Sequence, residues 1–358
     1  MRHLIRLCID QGLSSLSLFM FSITLAREFG AAEFSTYAVA LSTSLMVMAI
    51  FNSAYIEPTA FKDSDGISRR TVATKILTLT LTTSIACLFF IDKTQFFSVF
   101  SFVAGSSTLY AVRRIKALNG EQNKLTIIST TSFALTILAL LVLDYKQAPL
   151  SLWLITYGLI GVSYIFFIPE TKHKSKTSPP ADFKSLFIAI MFWVCSNYFF
   201  YYLPAIGRAV EGGQLRIIYT LFMPILQAGT IAGSIYISKK SSRKIVLPAT
   251  IFITIIYGLM LIAVGPDTIF KITNIPISRV ELLFATIMVV ANSSAGLQSI
   301  SMRMQNCVKP LLASSTLSAA ALISLGFLAD DLNKIMMCIT LSFLLSTTLS
   351  QAIRHMQK

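Results

Sequence analysis

Apolar residues run along this chain in blocks, not in alternation. Between short charged or Pro/Gly-marked breaks lie stretches of about 20 residues rich in Leu, Ile, Phe, Ala and Val, the length a helix needs to cross a bilayer core. Read this way, the 358 residues predict twelve membrane-spanning helices, at roughly 8–26, 35–57, 73–91, 95–112, 125–143, 150–169, 185–206, 215–237, 245–264, 281–301, 310–329 and 334–353. The first holds Asp10, and the tenth opens at Glu281 and passes Asn292. Barrel strands would alternate apolar and polar positions, and stretches such as Leu135–Leu143 and Ile251–Ile256 do not. Arg2 and Arg6 precede an apolar run that continues to Ala26 without an A-x-A site, so no cleaved signal peptide is expected.

Composition strengthens the reading. Only 13% of residues are charged and 54% are apolar, too little charge to wet a globular surface of this size. An ordinary soluble enzyme, a disordered chain and a coiled coil are excluded.

The net charge of +14 then turns into a topology signal. With the N-terminus in the cytoplasm, 22 of the 30 Lys and Arg fall on the inner side and 8 on the outer side, as the positive-inside rule requires. Both termini are predicted cytoplasmic, and the loop cations lie near anionic lipid heads. No loop is long enough to form a basic face for nucleic acid.

The longest connection, Glu170–Lys184, carries Pro179, Pro180 and four lysines and divides the chain. The expected organisation is an all-α, polytopic membrane protein. A six-helix bundle over 1–169 is followed by a cytoplasmic linker over 170–184 and a second six-helix bundle over 185–358. A shift of 181 positions aligns Ser15 with Ser196, Phe19 with Phe200 and Arg27 with Arg208, and nine of the 49 positions from 9 to 57 match. Six spans per half make such repeats parallel, a construction common among transporters.

Covalent chemistry finds no foothold. The three histidines (His3, His173, His355) stand in tails or loops without metal-ligand spacing. The five cysteines (Cys8, Cys87, Cys195, Cys307, Cys338) form no C-x-x-C. Nucleotide-binding and hydrolase motifs are absent. No catalytic residue, metal or cofactor is expected. The short outer loops, the longest about Gly265–Val280, also argue against a glycan polymerase or ligase.

What remains is polarity where lipid should be, which is costly and usually faces an interior cavity. Asp10 lies about one turn into the first span, and Glu57 closes the second before Pro58. Arg27 and Arg216 border spans one and eight at the outer side, while Arg113, Arg114 and Arg303 stand at inner ends. Each has a plain alternative as an interfacial charge that snorkels to the head groups. Asn52, Asn197, Gln227, Asn292 and Gln298 add neutral polar atoms, with interhelical hydrogen bonding as their plain account.

The run Asp10-Gln11-Gly12-Leu13-Ser14-Ser15, the turn Leu25-Ala26-Arg27-Glu28-Phe29-Gly30 and the following Glu33-Phe34-Ser35-Thr36-Tyr37 resemble the polysaccharide-export flippases. These are the O-antigen (Wzx-type) translocases of the multidrug and oligosaccharidyl-lipid exporter superfamily. The basic exit of span four, Arg113-Arg114-Ile115-Lys116 before Asn119, is also similar. The motif-level likeness covers about the first 60 residues and that exit, and the twelve-span plan fits along the whole chain. The resemblance implies a protein of the bacterial inner membrane. It would carry an oligosaccharide on undecaprenyl pyrophosphate to the outer leaflet by alternating access, with the polyprenyl tail left in lipid. Glycan polymerase and chain-length proteins would be its protein partners. Arg27 matches the family's A-R-x-x-G arginine, a position that lines the central cavity in related flippases. Arg216 is the counterpart sought in the second half. Arg113, Arg303, Asn52, Asn197 and Gln227 complete the candidate lining, and Asp10 and Glu57 are candidates for ion coupling. Arg pairs phosphate oxygens bidentately, which suits such a cargo. The alternatives are a cation-coupled, MATE-like multidrug exporter and a non-transporting scaffold of a glycan-synthesis complex.

Overall fold

The computed structural model describes residues 2–56, 69–88, 90–119, 121–168, 183–226, 243–304 and 307–356. Every regular element among them is helical. The first, α1 (Arg2–Phe51), covers two expected spans, because the chain turns back at Gly30 without breaking the helical pattern on either side. Gly30 has φ 66° and ψ 178°, a conformation open to glycine and strained for any other residue. A π-helical turn, Asn52–Ile56, ends this second arm.

The first half continues with α2 (Arg69–Cys87), α3 (Phe96–Leu118), α4 (Gln122–Tyr145) and α5 (Leu150–Ser163). The second half has α6 (Phe183–Ala205), α7 (Ala209–Leu221), α8 (Arg243–Val264), α9 (Pro266–Thr273), α10 (Arg279–Met304), α11 (Val308–Gly326) and α12 (Leu332–Met356). With α1 counted as two, and α9 set aside, each expected span has a helix, although span eight is described only to Leu226.

Nine stretches among the described residues are long and apolar enough to cross a membrane. The α1 hairpin counts once among them, and α2 is not one, since six threonines and a serine dilute its apolar content. Large apolar side chains stand exposed along the helices, for example Leu138 and Leu141 on α4 and Phe252 and Leu259 on α8. On a soluble protein these would form an aggregation-prone surface; here they face hydrocarbon.

The stretch expected to be the longest outer loop contains α9. Pro266 at its first turn, Asp267 near its positive end and the left-handed Asn274 at its C-cap supply start, charge and stop signals. Eight residues are too few to register as a span, which is why hydropathy alone missed it.

Packing is tightest between α3 and α5. A Cβ on Gly105 would stand 2.0 Å from the Gly158 carbonyl oxygen, and one on Gly161 would stand 2.2 Å from the Gly105 oxygen. The backbones therefore touch, the small-residue packing that replaces the hydrophobic effect between helices in lipid. Beside this strut lies an aromatic core of Phe21, Tyr37, Phe102, Trp153 and Tyr157, with the Phe21 and Tyr157 rings 4.6 Å apart. The seam between the halves is built mainly by α1, which packs on α6 and α7. Across it, Trp193 Nε1 donates to the Ser42 carbonyl at 2.8 Å, and Thr43 Oγ1 and Tyr201 OH lie 2.6 Å apart.

Candidate functional site

At the head of α7, Arg208 donates to the Ala329 and Asp330 carbonyls, both at 2.9 Å, and pairs with Glu211 at 3.0 Å. This fixes α7 to the turn between α11 and α12. The helix then leans on the other half so closely that a Cβ on Gly213 would lie 2.0 Å from the Ala31 oxygen. Eight residues beyond Arg208, about 12 Å along the helix, stands Arg216.

Arg216 is buried, with 3% of its surface exposed. Its guanidinium lies over the Phe200 ring, 5.5 Å from the centroid. The phenols of Tyr37 and Tyr219 are its electrostatic neighbours, and Tyr37 OH is 2.6 Å from Ser22 Oγ. Among the described residues no carboxylate forms an ion pair with it, and its Nε has no hydrogen-bond partner. Tyr219 OH and Thr220 Oγ1, three and four residues on, are likewise buried without partners among the described residues. A desolvated cation costs several kcal/mol unless compensated. A cation–π contact at a desolvated site returns about 2 kcal/mol or more, part of that cost. The seam thus holds a positive charge and spare hydrogen-bonding groups between the two halves.

A second arginine, half-buried, is handled differently. Arg113, on α3, donates through Nη2 to Asp10 Oδ2 at 2.8 Å and through Nε to Oδ1 at 3.2 Å, a two-pronged pairing. Its Nη1 donates to Ser14 Oγ, and Ser129 Oγ donates to Asp10 Oδ1. Asp10 is 1% exposed, yet the charge and the lone pairs are met on three helices, α1, α3 and α4. Further along, Ser17 Oγ donates to Thr136 Oγ1 at 3.0 Å. Here the coupling candidate Asp10 and the cargo-binding candidate Arg113 are brought together and occupy each other.

The remaining candidates lie apart. Arg27 is on the surface, its side chain 60% exposed and 3.3 Å from Glu28. Its carbonyl accepts from Asn274 Nδ2 at 3.5 Å. Asn197 is buried in α6 and donates back to the Trp193 carbonyl at 3.2 Å, beside the seam. Asn52 is half-buried in the π-helical turn. Glu57, Gln227 and the Arg303 side chain fall outside the described residues. Arg216 and Arg27 are therefore not parts of one cluster in this conformation. Of the residues that complete both clusters, Tyr219 and Ser129 gave no signal in the sequence, Phe200 stood out only as the repeat match of Phe19, and Tyr37 and Ser14 stood inside the motifs already singled out. Among the described residues no three metal-ligating side chains converge.

No protein-family model matches this chain, and no curated protein does. Among solved structures, the chain is similar to a crystal structure of MATE in complex with MaD5. The TM-score is 0.56 with 14% sequence identity over 99% of this chain and 95% of that one. At that identity the likeness concerns the fold: this is a multi-pass, all-helical membrane protein with a MATE-like fold.

Proposed function

We propose that this protein is a flippase of the bacterial inner membrane. It moves an oligosaccharide linked to polyprenyl pyrophosphate from the inner to the outer leaflet by alternating access, without covalent chemistry. The observation that carries the reading is Arg216, a buried cation at the seam with aromatic neighbours and no carboxylate among the described residues. A pyrophosphate drawn through low dielectric needs such a partner. Rocking of the halves about the seam would expose Arg216 to the cargo, with Tyr219 OH and Thr220 Oγ1 as added donors.

The test is a strain lacking this gene. Lipid-linked oligosaccharide should accumulate and surface glycan should vanish, and the wild-type gene, not Arg216→Gln, should restore it. Persistence of surface glycan in the deletion strain would overturn the reading.

The likeness to MATE favours a second reading, a cation-coupled exporter of organic cations. A fixed positive charge at the seam repels such cargo, and Asp10 is already occupied by Arg113. Greater sensitivity of the deletion strain to organic cations, with glycan intact, would select this reading.

A further inference from the structure

A cleft of about 550 Å³ opens between α2 and α6, with the second arm of α1 as its floor. Its volume falls within the ~300–1,000 Å³ common for small-molecule sites. We infer that this cleft holds the methyl-branched hydrocarbon tail of the cargo lipid, which the protein thereby guides instead of leaving it free in the bilayer. The inference rests on the flippase reading.

The composition of the walls is misleading at first sight. Thr43, Thr82, Thr83, Cys87 and three aromatic hydroxyl or indole groups suggest a polar lining. The hydrogen bonds reverse that impression. Thr82 Oγ1 donates to the Thr78 carbonyl at 2.5 Å and Thr83 Oγ1 to the Leu79 carbonyl at 2.8 Å, both four residues back along α2. Thr43 Oγ1 is held by the Val39 carbonyl, Cys87 Sγ and Tyr201 OH. Trp193 Nε1 is spent on Ser42. With these groups turned into the protein, the threonines present methyl groups, and Trp193 and Tyr201 present ring faces. Among the described residues no Asp, Glu, Lys or Arg lines the cleft, so an organic cation would find ring faces there and no described counter-charge. An uncharged, branched, unsaturated chain asks for nothing else. This also gives the threonine-rich α2 a purpose: it is a poor lipid-facing span and a good methyl-lined wall.

Position selects the cargo's own tail over an ordinary acyl chain. Phe200, under the Arg216 guanidinium, is followed by Tyr201, which lines the cleft. On α1, Tyr37 beside Arg216 and Thr43 in the cleft are six residues apart, about 9 Å. A head group at Arg216 and a tail in the cleft would thus be one amphiphile lying across the seam.

The experiment uses the full chain in vesicles of phosphatidylethanolamine and phosphatidylglycerol, with a diazirine-bearing undecaprenyl phosphate as probe. Ala86 lines the cleft from an exposed position, so Ala86→Trp fills it without crowding the core, while neighbouring Ile85, 50% exposed and outside the cleft, provides Ile85→Trp as control. Photolabel should map to α2 and α6 residues of the cleft and yield to unlabelled undecaprenyl phosphate. It should fall roughly tenfold in Ala86→Trp, with unchanged thermal stability, and persist in Ile85→Trp. Label spread over Leu77, Leu81 and Ile85, label displaced equally by added phosphatidylglycerol, or full labelling of Ala86→Trp would overturn the inference. The glycan assay reports separately on the flippase reading. Cleft labelling with intact surface glycan in the deletion strain would sink that reading and leave the tail site standing, and the converse pattern would do the opposite.

Discussion

Two arginines, both withdrawn from water, are treated in opposite ways. Arg113 sits inside the first bundle with its carboxylate partner and a serine on each side of the pair. Arg216 sits where α7 meets α1 and α6, against rings, with an Nε that has no hydrogen-bond partner among the described residues. The first arrangement is closed in charge, since the guanidinium meets its own carboxylate and four of its five N–H groups find acceptors. The second is incomplete in the sense that an anion would complete it. The difference separates a charge paired within the protein from one set against rings, and the partners define it.

Removing each arginine is the sharpest way to break the comparison. Arg113→Leu strands the Asp10 carboxylate in the bundle and should cost ~3–5 kcal/mol, read as a lower unfolding temperature in detergent and a lower protein level. The double change Asp10→Leu with Arg113→Leu should return stability to within ~1 kcal/mol of the parent, because well-packed apolar residues commonly replace a buried pair at little cost. A double variant as unstable as the single one would mean that the pair does more than neutralise itself.

Arg216→Gln should act in the opposite sense. It removes an uncompensated charge, so stability should hold or rise, while transport loses a charge-assisted contact of ~1.5–3 kcal/mol, roughly tenfold or more in rate. Lower stability together with normal glycan export would place Arg216 with Arg113 as a structural residue. A smaller effect tests the seam itself. Trp193→Phe deletes its hydrogen bond to Ser42 and should cost ~1 kcal/mol, seen as a modest drop in unfolding temperature with the aromatic packing retained.

The smallest effect lies outside the membrane. Lys116 and then Lys124 hold the Glu121 carboxyl down from its ordinary 4.5 to about 2. A depressed carboxyl contributes stability that is present above 4.5 and lost as pH falls towards 2. The group is partly solvated, so the contribution should stay below ~1 kcal/mol. Glu121→Gln should flatten the dependence of unfolding temperature on pH in that window and leave it unchanged near neutrality.

Much of the fold was legible because lipid imposes a length: the blocks of apolar residues are the helices. The exceptions have local causes. The α2 span, expected at 73–91, is diluted by six threonines, of which Thr78, Thr82 and Thr83 donate to its own carbonyls, and α9 is too short for a hydropathy window. The site was less legible. Asp10 and Arg113 were each singled out as costly charges, but 103 residues separate them and nothing in the spacing pairs them. Arg216 was found by its position at a span end, and its aromatic surroundings come from α1 and α6, which only the folded seam brings together. Arg27 carries the family-like motif and yet faces outward beside Glu28 here.

The contact between α3 and α5 has a consequence for how the protein is made. Two helices whose backbones touch at Gly105 and Gly158 cannot meet until both have left the translocon, and α4 is threaded between them in time. This contact therefore forms only after α5 is delivered. A single methyl group at Gly158, which would lie 2.3 Å from the Ser101 oxygen, would be felt at that moment, as a strut that cannot close.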